Sequence, residues 1–215
     1  WKTGLLMRFD APALWSAECP NLYTLVLELR DEAGALIEAV PTQLGFRKVE
    51  VAARGGDTKK RFWVNGQKIK LKGVNRHEAN PLLGHTIPRA WVEDEIRLMK
   101  EANINHVRCS HYPADPYFYY LCNKYGIYVE DEANIESHGY YYGKESLSHP
   151  VEWMDAHVDR IMTMVERNKN QPCVVIWSLG NEAGPGRNFA VAERTIKARD
   201  FTRPTHYERN NDIVD

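Results

Sequence analysis

The apolar positions change period partway along this chain. Leu22-Tyr-Thr-Leu-Val-Leu-Glu-Leu29 alternates imperfectly and predicts a strand. Asp31-Glu-Ala-Gly34 predicts a turn, and Ala35 to Val40 and then Leu44 to Val51 predict returning strands. This is antiparallel β. Three or so strands are too few to close a sandwich, so residues 1–52 are expected to be the carboxyl-terminal strands of an immunoglobulin-like β-sandwich. A linker runs from Ala53 to Arg61. A hairpin follows, Phe62 to Val64 and Lys68 to Leu71, around the turn pair Asn65-Gly66.

Beyond the hairpin, short apolar runs alternate with helical spacing. Strands are predicted at Lys70–Val74, Ile104–Val107, Ile127–Glu132, Val174–Trp177 and Thr205–Glu208. Ala90 to Ala102 places Val92, Ile96 and Met99 on one helix face. Asp115 to Tyr125 is a short helix stopped by Gly126. Glu152 to Asn168 aligns Val158, Ile161, Met162 and Val165, and Gly186 to Arg199 turns Phe189 and Ile196 inward. Alternating strands and helices predict a parallel sheet. A (β/α)8 barrel needs about 250 residues, so residues 53–215 are expected to be the first half of a TIM barrel. The fold class expected is therefore multi-domain, sandwich strands followed by an incomplete barrel. No G-x-G-x-x-G or P-loop stands at a strand-to-helix turn, which argues against a nucleotide site.

Composition narrows the classes. With 215 residues, 43% of them hydrophobic, the chain can bury a sizeable core. A net charge of -1 leaves no basic surplus, so neither nucleic acid nor a membrane surface is an expected partner. No apolar run approaches the roughly 18 residues of a membrane span. Cys19, Cys109, Cys122 and Cys173 form no C-x-x-C motif and are expected to be reduced, buried thiols. A cytoplasmic setting is the expectation, although Trp1-Lys-Thr-Gly4 fixes nothing about a leader.

Four predicted strands run into polar clusters: Asn75-Arg-His-Glu78, Arg108-Cys-Ser-His-Tyr-Pro113, Ala133-Asn-Ile-Glu-Ser-His138 and Leu179-Gly-Asn-Glu182. In an α/β barrel such strand ends share one rim, where active sites are built. Glu182, at the mouth of a buried strand, is placed to be poorly solvated and to hold its proton as a general acid. Asn181 beside it can hydrogen-bond a sugar hydroxyl. Glu136 and His138, two residues apart, share a face if the segment is extended. With Glu182 they offer two oxygens and a nitrogen, a set that suits Mg²⁺ or Mn²⁺ better than zinc. Alternatively, Glu136 and His138 only bond their own loop. His77 and His111 are either satisfied structural residues or contacts to a hydroxyl-rich ligand. Arg108 could steady a carboxylate by a bidentate pair. Of the neighbours Asp131 and Glu132, only one can face inward. Trp153, Trp177, Tyr112 and Tyr140 to Tyr142 could stack on sugars, but core or loop roles are the simpler reading for most of them.

On these residues the chain resembles the large bacterial β-galactosidases of the sandwich-plus-barrel glycoside hydrolase family that also holds β-glucuronidases. The likeness runs from Leu14-Trp-Ser-Ala-Glu18, Pro20-Asn-Leu-Tyr23 and Gly45-Phe-Arg47 through Gly73-Val-Asn-Arg-His-Glu78 and Val107-Arg-Cys-Ser-His-Tyr-Pro113. It continues in Asp131-Glu-Ala-Asn-Ile-Glu-Ser-His-Gly139 and Trp177-Ser-Leu-Gly-Asn-Glu182, and Glu136-Ser-His-Gly139 resembles the galactosidase form of its loop. The resemblance implies hydrolysis, with retention, of terminal β-D-galactose from β-galactosides such as lactose. It implies Glu182 as general acid/base, Asn181 on the sugar 2-hydroxyl, and Glu136, His138 and Glu182 as ligands of Mg²⁺. His77 and His111 would contact sugar, and Arg108 would lie near the nucleophile. It also implies a homo-oligomeric whole protein, and a nucleophile on a strand after Asp215, so that this piece alone is expected to be inactive. The rival readings are a β-glucuronidase or other exo-glycosidase of that family, and a sugar-binding module without catalysis.

Overall fold

The computed structural model describes residues 6–56, 58–140, 145–209 and 214–215. Its amino-terminal part is a two-stranded antiparallel ribbon of β1 (Tyr23–Arg30) and β2 (Leu36–Leu44). The turn falls at the predicted Asp31–Gly34, where the Asp31 carboxylate accepts the Ala35 N–H at 2.8 Å. The second strand does not break at Val40. It runs on through Pro41, opposite Val26, because a ribbon edge tolerates a residue without an N–H. Leu27, Leu29, Leu36 and Ile37 are each more than half exposed. Two strands cannot cover their own apolar faces.

The predicted strand Leu44 to Val51 is also corrected. Only β3 (Val49–Ala52) forms, and it pairs with β4 (Arg61–Val64) of the hairpin rather than with the ribbon. β5 (Gln67–Lys68) completes that three-stranded sheet, across an Asn65-Gly66 turn with positive φ at both residues. Strand partners are set by non-local contacts, so period alone left this pairing open.

The remainder is a parallel sheet in sequential order: β6 (Gly73–Arg76), β7 (His106–Cys109), β8 (Tyr128–Glu132), β9 (Val174–Ser178) and β10 (Thr205–His206). Helices α1 (Arg89–Glu101), α2 (Pro116–Tyr125), α3 (Met154–Asn168) and α4 (Arg187–Arg199) connect the strands. The helices form where predicted, while β6 and β7 lie two or three residues later than the expected Lys70–Val74 and Ile104–Val107. The chemistry of α2 shows why the helices are placed so. Asp115 caps it by accepting the Tyr117 N–H at 2.8 Å, and Pro116 pre-sets the first turn. Gly126 ends it in a left-handed conformation, φ 76°, where a Cβ would lie 2.3 Å from the Ala17 carbonyl oxygen. Helix α3 buries Ile161, Met164 and Val165, with Val158 and Met162 at the margin.

One seam joins the amino-terminal segment to the barrel floor. Trp15 is fully buried, stacks edge-on against Tyr128 and donates its indole N–H to the Asn123 carbonyl at 2.8 Å. The Asn123 amide donates to Gln43 and Gln171 and accepts the Cys173 N–H. Arg47 donates to the Pro172 and Val174 carbonyls at 2.6 Å each. Three cysteines are buried free thiols, as expected, but Cys19 is exposed. It occupies a tight turn, with Ser16 and Asn21 N–H groups bonded to its carbonyl, which turns the side chain outward. Among the described residues, no helix is long and apolar enough to cross a membrane.

The two acidic neighbours on β8 are both buried, on opposite faces. Asp131 faces the helices, accepting from Tyr119 at 2.6 Å and Asn168 at 2.7 Å. Burial pushes its carboxyl up to about 6, from an ordinary 3.8. The folded state therefore holds that proton more tightly than the unfolded chain. This group's contribution to stability is fully present below pH ~4 and is lost as pH rises through ~6, by on the order of 3 kcal/mol. Asp131→Asn, with the Asn168 amide rotated to match, is expected to flatten that part of the curve. Urea midpoints at pH 4.5 and 7 check it; an unchanged pH slope in the variant contradicts it.

Candidate active site

All seven residues singled out above lie at the carboxyl ends of four of the five parallel strands, β6 to β9, and they converge. On the concave side of β8, Glu132 is fully buried and collects three donors. Arg108 Nε–H and Ser178 Oγ–H reach its Oε2 at 2.6 Å each, and His111 Nδ1 lies 2.6 Å from its Oε1. Burial raises the Glu132 carboxyl, and the bonds from Ser178, Arg108 and His111 pull against that. Arg108 also donates through Nη2 to Asn181 Oδ1 at 2.9 Å, and Asn181 Nδ2 donates to Glu136 Oε1 at 2.9 Å. Glu136 and Asn181 are further tied as an isolated parallel bridge. A continuous hydrogen-bonded path thus crosses three strands, from His111 to Glu136. Arg108 gives one bond to each of two partners, so the bidentate pair is not formed.

His77 stands beside His111, with ring centroids 5.3 Å apart, and Tyr112 packs against His77 and accepts the Glu78 N–H at 3.2 Å. One layer deeper, Glu130 lies 2.6 Å from His206 Nδ1 and 3.8 Å from His106 Nε2. Burial raises the Glu130 carboxyl, but the two histidines outweigh that and hold it below its ordinary value.

Glu182 follows a turn at Gly180 that no other residue fits comfortably. Gly180 has φ 149°, and a Cβ there would lie 2.7 Å from the Ile135 carbonyl oxygen. Glu182 itself has φ 42°, a strained conformation for a side chain of its size. The strain is held from two sides. Ser146 donates to the Ala183 carbonyl at 2.5 Å, and Ser148 Oγ accepts the Gly186 N–H at 2.9 Å. From the turn after β10, the Glu208 carboxylate accepts the Glu182 N–H at 3.0 Å. The turn swings Glu182 outward, so its side chain is 31% exposed rather than buried at the strand mouth. Its Oε2 lies 2.5 Å from His138 Nε2.

Glu136 and His138 do not lie on a strand. Glu136 is in the bridge to Asn181, and His138 opens a 3₁₀ turn at His138–Tyr140. Their loop nevertheless brings one ligand atom from each of Glu136, His138 and Glu182 within 4.8 Å of one another. Two carboxylates, one imidazole and solvent access for waters fit a hard divalent ion. Seating one at about 2.0–2.1 Å from each donor requires His138 and Glu182 to part to about 3 Å.

The aromatic candidates divide. Trp177 is core, fully buried and bonded through its indole N–H to Asp200 at 2.9 Å. Trp153 and Tyr140 are exposed, and Tyr141 and Tyr142 lie outside the described residues. Glu132 and Glu208 were not among the sequence candidates. Strand alternation pointed to one inward acid at residues 131–132 but not to its partners. Glu208 ended a predicted strand, and nothing local linked it to Glu182.

Comparison with known proteins agrees with this geometry. Residues 57–215 match the family described as "Glycosyl hydrolases family 2, TIM barrel domain", and residues 2–47 match "Glycosyl hydrolases family 2". A β-galactosidase of Vibrio cholerae is 46% identical over 207 residues, 96% of this chain and 20% of that protein. One from Pectobacterium atrosepticum is 44% identical over 219 residues, 99% of this chain and 20% of that protein. The chain thus spans about a fifth of the length of the curated relatives it matches. Among solved structures, Bacteroides uniformis β-glucuronidase 3 superposes with a TM-score of 0.79 at 28% identity, over 95% of this chain and 26% of that one. A family 2 β-galacturonidase from Eisenbergiella tayi bound to galacturonate gives 0.77 at 25% identity, over 93% of this chain and 34% of that one. The parallel β/α array, its rim of acids and the family match over three quarters of its length agree: the chain belongs to glycosyl hydrolase family 2.

Proposed function

We propose that the whole protein is a retaining β-galactosidase that releases terminal β-D-galactose from β-galactosides such as lactose. The observation that carries this is Glu182 beside Asn181 just past the end of β9, Asn181 being bonded to Arg108 and through it to Glu132, in a chain 46% identical to a β-galactosidase. Glu182 is the general acid/base. It protonates the departing glycosidic oxygen, then as a carboxylate takes a proton from the water that completes hydrolysis. Its partial exposure gives it access to both. Asn181 holds the sugar 2-hydroxyl, and Arg108 fixes the amide that does so. His77 and His111 contact the sugar. Glu136, His138 and Glu182 hold Mg²⁺, which when bound supplies fixed positive charge beside the acid/base.

Retention needs a second carboxylate about 5–5.5 Å from the acid, to form the covalent glycosyl-enzyme. We assign it to a later barrel strand, beyond the five seen here, and expect a polypeptide limited to residues 1–215 to give no turnover. The apolar faces of β1 and β2 support placing residues 1–52 in an immunoglobulin-like sandwich whose other strands cover them. Residues 53–215 are then the first half of the catalytic barrel. Two measurements on the whole protein test the reading. Nitrophenyl β-galactoside is expected to be cleaved in preference to the matching β-glucuronide, and NMR is expected to detect β-galactose before mutarotation. A preference for glucuronide, or α-galactose appearing first, refutes it.

A further inference from the structure

Among the described residues, Glu132 is fully buried and bonds both His111, a proposed sugar contact, and Arg108, which holds Asn181, another. Its bonds have a direction. An ionised carboxylate only accepts, and a guanidinium only donates. Arg108, held by Glu132, can offer Asn181 only a donor, so Asn181 must turn its oxygen to Arg108 and its NH₂ to Glu136 and the site. In the same way, a proton on His111 Nδ1 is committed to Glu132 at 2.6 Å, which leaves Nε2 as an acceptor. Ser178 fills the remaining approach to Oε2 at 2.6 Å.

We propose that Glu132 is a positioning residue that fixes the hydrogen-bond polarity of the sugar site, making His111 Nε2 an acceptor of a sugar O–H and Asn181 a donor to another. This deepens the reading above and rests on His111 and Asn181 contacting the sugar. It predicts a specificity for hydroxyls that donate at the His111 position, independent of shape.

Glu132→Gln tests it in the whole enzyme. The amide oxygen can still accept from Arg108 and Ser178, but the NH₂ then faces His111 Nδ1. That ring must move its proton to Nε2 and present a donor where it had presented an acceptor. The kcat/KM for a nitrophenyl galactoside is expected to fall about 10- to 100-fold, as for removal of an orienting partner, with the folded state retained. The decisive readout is a set of monodeoxyfluoro galactosides, because fluorine cannot donate. The wild type is expected to reject one of them strongly. Glu132→Gln should reject that one less, His111→Ala should abolish the difference, and Ser178→Ala should leave the wild-type pattern. If Glu132→Gln does not fold, ring ¹⁵N shifts of His111 in the wild type decide instead: Nδ1 protonated and Nε2 bare is expected. A proton on Nε2 in the wild type, or a fluoro pattern unchanged by Glu132→Gln while His111→Ala alters it, overturns the proposal. A fluoro pattern that His111→Ala does not touch overturns instead the reading of His111 as a sugar contact.

Discussion

If the whole protein is the β-galactosidase proposed above, Glu182→Gln is expected to slow its hydrolysis of lactose by about 10²- to 10⁴-fold, the usual share of a general acid/base. The loss depends on the leaving group. An alkoxide departs only when protonated, whereas an activated phenol departs nearly unaided, so dinitrophenyl galactosides are cleaved in the first step almost as before. The second step then limits, because the same residue must activate water. Azide needs no base and restores turnover as the galactosyl azide. Gln keeps the backbone N–H that Glu208 accepts at 3.0 Å, so the turn at Gly180 is preserved and the effect is chemical rather than structural. Equal losses on lactose and on the dinitrophenyl substrate, with no azide effect, assign the acid elsewhere.

The second large effect is that of metal removal. One ligand atom from each of Glu136, His138 and Glu182 lies within 4.8 Å of the others, so two carboxylates share this corner of the rim. A divalent ion seated there would relieve their repulsion and hold the proposed acid/base in one place. Chelation is expected to lower kcat/KM by about 10- to 100-fold, and added Mg²⁺ to restore it. Glu136→Gln removes one of the two charges on which Mg²⁺ affinity rests. The variant should need far more Mg²⁺ for half-recovery, and calorimetric titration should show the same weakening directly. A Glu136→Gln enzyme with the wild-type Mg²⁺ response would mean that the carboxylate only bonds Asn181.

What could be read from sequence was local. The cap Asp115 and the stop Gly126 bound α2 because both act within one helix turn. The strand ends at β8 and β9 were legible because apolar runs stop where polar side chains meet the rim, whereas β6 and β7 run on two residues beyond their apolar stretches, through Asn75-Arg76 and Arg108-Cys109. Partners in space were not legible. Val49–Ala52 looks like any strand, and only the hairpin beyond the linker decides where it pairs. The turn that carries Glu182 is tied down by Ser146 and Ser148, more than thirty residues away in sequence, through bonds to Ala183 and Gly186. Glu132 was visible as an inward acid, but its three donors come from three separate segments.

The buried seam beneath the barrel bears on how such proteins can be recombined. Trp15, Gln43 and Arg47 lie on one side of it, and Asn123, Gln171 and Pro172 on the other. A boundary drawn near residue 52 separates two stretches of text but bisects one interlocked contact surface. Exchange of the leading strands between relatives is therefore neutral only when these six positions travel as a matched set. Seen this way, the unit that drift and shuffling must respect is the joint, and the domain is merely what hangs on either side of it.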